Sequence, residues 1–159
     1  MSDKKFKRVL IIMSIIFLVA IPLLFLLSDS RDQSVKEVEN DFGISFPKSV
    51  KRVRELYKES DFHGDGEAAV LFTVDKADIK EMENDLEDYK VKGDDNKLSQ
   101  IDTCLNAVIK RGFDTSIDLK GEVYFKATSD NAFHNMYGNF IALIIDEEKG
   151  EILFLQWDT

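Results

Sequence analysis

The chain has one cysteine, two histidines, two prolines and one tryptophan in 159 residues. A lone Cys104 excludes an intramolecular disulfide and any cysteine-based zinc cluster, so whatever folds here must hold by packing. It also excludes a lipid anchor, which needs a cysteine directly after the leading apolar stretch. Cys104 lies instead among Leu98, Ile101, Leu105, Val108 and Ile109, where it reads as a small buried hydrophobe. With only His63 and His134 available, no Ser-His-Asp or Cys-His arrangement and no glycine-rich phosphate loop is legible. No cofactor is implied.

Charge is the next scarcity, and it is local. Val9–Leu27 runs for nineteen residues without a charged side chain, directly after Lys4, Lys5, Lys7 and Arg8. At about 1.5 Å per helical residue the run spans about 28 Å, close to the ~30 Å of a bilayer's hydrocarbon core. A helix is the single-segment solution there, because lipid leaves open backbone groups unpaired. Ser14 can return its hydroxyl to the preceding turn, and Pro22 introduces a tolerated kink. Only Arg31 and Lys36 follow within ten residues, diluted by Asp29, Asp32 and Glu37. The positive-inside rule therefore places residues 1–8 in the cytoplasm, the span at 9–27, a polar tether at 28–33 and a domain at 34–159 outside the cell membrane. The competing reading is a cleaved signal peptide with Ser28 and Ser30 near the cut. Signal-peptide cores are usually about 7–15 residues, shorter than this run.

Of the 21 basic and 30 acidic residues, four and one precede the span, leaving 17 against 29, or −12, for the remainder. Such a charge disfavours nucleic acid and anionic lipid headgroups and permits a basic partner.

The periodicities beyond the span predict an α+β domain. Val35, Val38 and Phe42 recur at helical spacing and Gly43 suits a left-handed helix end. Ile44–Pro47 reads as extended, since the residue before proline avoids the helical region. Lys51–Tyr57 suits a strand as well as a helix face, and pairs as a hairpin with the β-rich Glu67–Val74. Asp75 is an expected N-cap for a helix carrying Ile79, Met82, Leu86 and Tyr89, with Glu81, Glu83, Asp85, Glu87 and Asp88 on its solvent side. Gly93–Asn96 reads as a loop, Lys97–Lys110 as a second helix stopped by Gly112. Glu122–Ala127, Phe140–Ile145 and Glu151–Gln156 read as strands, the last two joined by a turn closed at Gly150. Thr128–Gly138 reads as a polar loop. The expected architecture is about five mostly antiparallel strands with the two middle helices packed on one face.

One segment invites a chemical reading: Phe62-His63-Gly64-Asp65-Gly66-Glu67. In an extended backbone His63, Asp65 and Glu67 point to one side, where an imidazole and two carboxylates could hold a cation or pair acid with base. The plainer reading makes Gly64 and Gly66 a tight turn at positive φ, with Asp65 capping it and Glu67 facing solvent. Phe133, Tyr137, Phe140 and Trp157 form an aromatic group whose plainer role is the edge of the core.

Phe42-Gly43-Ile44-x-Phe46-Pro47, the Phe62–Glu67 segment, Asn139–Ile144 and the terminal Trp157-Asp158-Thr159 together resemble small uncharacterised membrane-anchored or secreted proteins of Gram-positive bacteria. The resemblance implies an extracytoplasmic location and brings no activity with it.

Three function classes follow. The first is a non-enzymatic binding module tethered to the bilayer through Val9–Leu27, with a protein or peptide partner and a contact surface at His63, Gly64, Asp65, Gly66 and Glu67. The second is a small metal-dependent enzyme or metal-binding domain using His63, Asp65 and Glu67. The third is a membrane-tethered immunity-type protein whose acidic face holds a basic partner. If the span is an uncleaved anchor, mass spectrometry of the membrane fraction will find the chain with Met1 or Ser2 at its start. A species beginning near Arg31 in the medium would replace anchoring with secretion.

Overall fold

A computed structural model describes residues 31–57, 66–128 and 139–158. The Val9–Leu27 run lies outside them; among the described residues no helix is long and apolar enough to cross a membrane.

Helix α1, Gln33–Phe42, starts where Asp32 accepts a hydrogen bond from the Ser34 amide at 2.9 Å. Its stripe of Val35, Val38 and Phe42 is buried, and the helix stops at Gly43, whose φ of 71° lets the chain leave through the left-handed region. The helix therefore starts one residue before position 34, where the sequence suggests the domain begins, because Asp32 serves as the cap.

Strand β1, Lys51–Tyr57, settles the ambiguous segment as a strand. Its register against the next strand slips between Arg52 and Arg54, leaving Val53 bulged and 55% exposed. The segment suits a helix face as well as a strand because this bulge breaks the period of two. Arg52 and Arg54 stand on this edge strand in ion pairs with Asp32 (3.0 Å) and Asp114 (2.8 Å), a charged edge that discourages further pairing.

Strand β2, Gly66–Thr73, pairs antiparallel with β1 on one side and with β5, Glu151–Asp158, on the other. Strands β3, Glu122–Ala127, and β4, Phe140–Asp146, complete a fully antiparallel sheet of order β1-β2-β5-β4-β3. The strands therefore fall where the periodicities place them, within two residues at each end.

The helices do not. Helix α2, Lys76–Leu86, buries Ile79, Met82 and Leu86 with α1 against Val70, Phe72, Tyr124, Ile141, Leu143, Ile152 and Phe154. Helix α3, Asp95–Lys110, buries Ile101, Cys104, Leu105 and Val108 against Ala69, Leu71, Ala142, Ile144, Leu153 and Leu155. These sets alternate along the same strands, so the two middle helices cover opposite faces, not one. The physical reason is the lack of alternation in β2, β4 and β5. With consecutive residues apolar, a single helical layer would leave the other face in water, forgoing about 1.5–3 kcal/mol per large side chain.

Two helix starts also differ from expectation. Asp75 occupies the N-cap position of α2 but makes no side-chain cap; its amide donates instead to Ser49 Oγ at 3.3 Å. Helix α3 begins two residues early because Asp94 caps it, accepting from the Lys97 amide at 3.2 Å. Between the helices a single 3₁₀ turn, Glu87–Tyr89, brings Lys90 into a bridge with Tyr124 and lets the Val91 amide donate to Val123 O at 2.8 Å. That segment shields part of the outer edge of β3.

Gly121 precedes β3 where the backbone passes hard against β4: a Cβ there would collide with the carbonyl oxygen of Ile145. Gly93, at φ +67°, has open space around it. Gly121→Ala should therefore cost about 1–3 kcal/mol as an overpacking change. Gly93→Ala should cost about 1 kcal/mol, from backbone strain alone. Urea denaturation of both variants checks the order; equal losses would remove the close approach as the cause.

Candidate functional site

The two ends of the sheet carry different chemistry. At one end lies what the structure describes of the predicted site. His63, Gly64 and Asp65 lie outside the described residues. Gly66 is already strand, opposite Asp158 at the start of β2, rather than part of a left-handed turn. Glu67 pairs across the sheet with Trp157, and its carboxylate is held by the Arg111 guanidinium that closes α3. The Glu67 side chain is 18% exposed; it serves as a tie between strand and helix, not as a solvent-side group.

The aromatic group divides in the same way. Phe133 and Tyr137 lie outside the described residues. Phe140 is buried and stacks on Phe125 at 5.1 Å and on Trp157 at 6.5 Å, on the face covered by α3. These two rings form the margin of the core. Cys104 sits beside them, fully buried, its thiol 3.7 Å from Gln156 O. Burial first, and the nearby Glu67 carboxylate second, push its pKa up to about 12. A thiol so placed stays protonated and is no nucleophile.

The opposite end holds a group that the sequence did not bring together. The β4–β5 turn, the approach to β3 and the end of β4 enclose a cleft of about 540 Å³. Its charged lining is Asp118, Glu122, Asp146, Glu147 and Glu148, with Lys120 and Lys149. Both lysines are already engaged, Lys149 with Asp146 (2.8 Å) and Ser116 O (3.0 Å), Lys120 with Asp118 (3.1 Å). Each partnership holds the aspartate below its ordinary value; for Asp146 the Lys149 side-chain hydrogen bond leads, and for Asp118 the Lys120 amide leads.

On the face covered by α1 and α2 lies Tyr124 of β3, and Glu83 belongs to α2 itself. Glu83 was expected on the solvent side of its helix, yet its Oε1 atom is buried and without a hydrogen-bond partner among the described residues. Burial raises its pKa first, followed by the charge of Glu147 and a side-chain hydrogen bond to it, while Lys90 pulls the other way. Lys90 itself is committed to Glu122 at 2.6 Å, which raises its own pKa. Tyr124 is fully buried, and its hydroxyl also has no partner among the described residues. Its pKa is raised by burial first and then by the charges of Glu83, Glu122, Glu87 and Glu147.

Comparison with protein-family models, with curated proteins and with solved structures finds no match. No residue role is therefore carried over from a relative, and the arrangement stands on its own chemistry. Among the described residues no three acidic, histidine or cysteine side chains are grouped so as to hold a metal ion. What the acidic end can do is accept hydrogen bonds: its carboxylates outnumber its lysines, and among the described residues the buried oxygens Glu83 Oε1, Tyr124 OH and Glu151 Oε2 lack partners.

A signal for this end was present in the acidic turn Asp146-Glu147-Glu148 and in Glu122 two residues before Tyr124. Nothing in the sequence, however, tells that α2 delivers Glu83 to the same place. Because folding raises the Glu83 pKa, the native state binds its proton more tightly than the unfolded chain. Its contribution to stability is complete below the ordinary value of 4.5 and is lost as pH rises through the raised folded value. Glu83→Gln should therefore gain in melting temperature relative to the wild type as pH rises from about 4 to about 7.5. A melting difference independent of pH would show that the carboxyl is not perturbed.

Proposed function

We propose that the chain is a single-pass membrane protein, anchored by Val9–Leu27, whose domain lies outside the cell membrane and acts as a non-enzymatic binding module for a basic protein or peptide. The observation that carries the reading is the acidic cleft at the β4–β5 turn, where five carboxylates line the walls against two lysines that are already paired with Asp118 and Asp146. The formal −12 beyond the basic N-terminal residues supports it, since such a field draws a cationic partner and repels nucleic acid. The anchor rests on the length of the uncharged run and the basic residues before it. The metal-dependent reading of His63, Asp65 and Glu67 draws less support, because Glu67 is already tied to Arg111.

Two measurements test this. Protease added to intact cells stripped of their wall should digest residues 28–159; protection of that segment would reverse the orientation. The full chain in neutral detergent should bind octa-arginine with an affinity that falls as salt rises, and should not bind octa-aspartate. Absence of salt-sensitive binding to octa-arginine would remove the basic-partner reading.

A further inference from the structure

The chain enters the domain beside a bare sheet edge. Asp32, the cap of α1, pairs with Arg52 at 3.0 Å, and Ser34 Oγ lies 3.2 Å from the Tyr57 hydroxyl, so the start of α1 rests on β1. The outer edge of β3 is partly shielded by Lys90 and Val91, whereas no described segment pairs with the outer edge of β1. That edge is amphipathic. Among the described residues three large apolar side chains are exposed, and two of them, Val53 and Tyr57, stand on β1. Residues 48–57 carry Lys48, Lys51, Arg52 and Arg54 against Glu55 alone. Asp32, Glu55 and Asp114 engage the two arginines. Lys48 and Lys51 are exposed, and no described acidic side chain pairs with either.

A further strand is a poor occupant of this edge. The bulge at Val53 breaks the regular ladder, and charged side chains on an edge oppose pairing. A second copy fares no better: two-fold pairing centred on Val53 sets Arg52 opposite Arg54, and pairing centred on Arg54 sets that residue opposite itself. A bilayer surface needs no ladder. Lysine ammonium groups meet lipid phosphates, while an aromatic ring and a short apolar side chain suit the headgroup boundary. The tether keeps that surface within range. Residues 28–31 separate Leu27 from Asp32, and five residue steps at about 3.5 Å reach no further than about 18 Å.

We propose that the β1 edge is a membrane-facing surface, on which Lys48 and Lys51 meet anionic headgroups of the bilayer that holds the anchor, while Val53 and Tyr57 settle at headgroup level. The domain's formal −12 opposes such a contact at long range, and the tether offsets this by making the contact intramolecular. The acidic cleft borders β3 and β4, and β4 stands three strand spacings, about 14 Å, from β1. The cleft is thereby left open to the exterior, where a basic partner arrives. This inference rests on the anchored reading and adds an orientation to it.

The test uses the full chain reconstituted in vesicles of phosphatidylcholine and phosphatidylglycerol, with a fluorophore on Val53→Cys or, at the far edge of the sheet, on Lys120→Cys. Cys104 is buried and protonated, so the introduced thiol takes the label. Lipid carrying a nitroxide on its headgroup should quench the label at position 53 about twofold or more beyond that at position 120. Lys48→Glu combined with Lys51→Glu should abolish that difference, and vesicles of phosphatidylcholine alone should reduce it. Equal quenching at the two positions, or a difference unmoved by charge reversal and by loss of phosphatidylglycerol, would overturn the surface. Flotation of the chain with the vesicles after an alkaline wash reads the anchor separately. A chain that floats without differential quenching loses this surface alone, whereas one that does not float loses the anchor as well.

Discussion

The pairing of β2 with β5 is the constraint on which the rest depends. Eight residue pairs run in unbroken antiparallel register from Gly66 opposite Asp158 to Thr73 opposite Glu151. This pairing joins the β1–β2 hairpin to the β3–β4–β5 meander across the whole length of both helices that intervene in sequence. Closing so long a loop costs entropy before any contact is made, and the burial of Ala69, Val70, Leu71 and Phe72 against Leu153, Phe154 and Leu155 offsets it. Once β2 and β5 are adjacent, consecutive apolar residues face both ways, and the helices have no choice but to divide between the faces.

That division places the polar chemistry. Helix α3, docked on one face, ends at Arg111 beside Glu67, and its Cys104 is sealed under β5. Helix α2, docked on the other, carries Glu83 to Tyr124, while the 3₁₀ turn after it carries Lys90 to Glu122. The two sheet ends thereby acquire opposite characters. At the Glu67 end the Glu67 carboxylate is held by Arg111 and the Asp158 carboxylate accepts from Asn139. At the β4–β5 end five carboxylates line the cleft against two lysines, and three buried oxygens among the described residues, on Glu83, Tyr124 and Glu151, lack partners.

Such incomplete satisfaction is expensive inside a fold that otherwise pairs its groups through caps at Asp32 and Asp94 and ion pairs along its rim. A buried oxygen without a partner bears its desolvation in full, and the same burial raises the pKa of Glu83 and of Tyr124. The same reasoning explains why Cys104 carries no chemistry. Its surroundings penalise only the thiolate, and the neutral thiol is content there.

All five strands and the three helices were legible in the sequence, because apolar periodicity and turn residues are local properties. Val35, Val38 and Phe42 make a helix stripe wherever they dock, and Gly43 and Gly150 permit left-handed backbone wherever they sit. The burial of Cys104 was legible for the same reason, through its neighbours one turn away. The side of the sheet on which each helix lies was not, since a stripe says that a face must be covered and not which face it will find. The candidate site was legible least. The Phe62–Glu67 segment stood out because its residues are adjacent in sequence, whereas Glu83, Glu122, Tyr124 and Glu147 meet only after α2 crosses the sheet and the β4–β5 turn folds back beside β3. Sequence alone determined the elements and the charge of this protein; the tertiary structure decided where that charge is concentrated, because long-range pairing, not local pattern, brings distant carboxylates together.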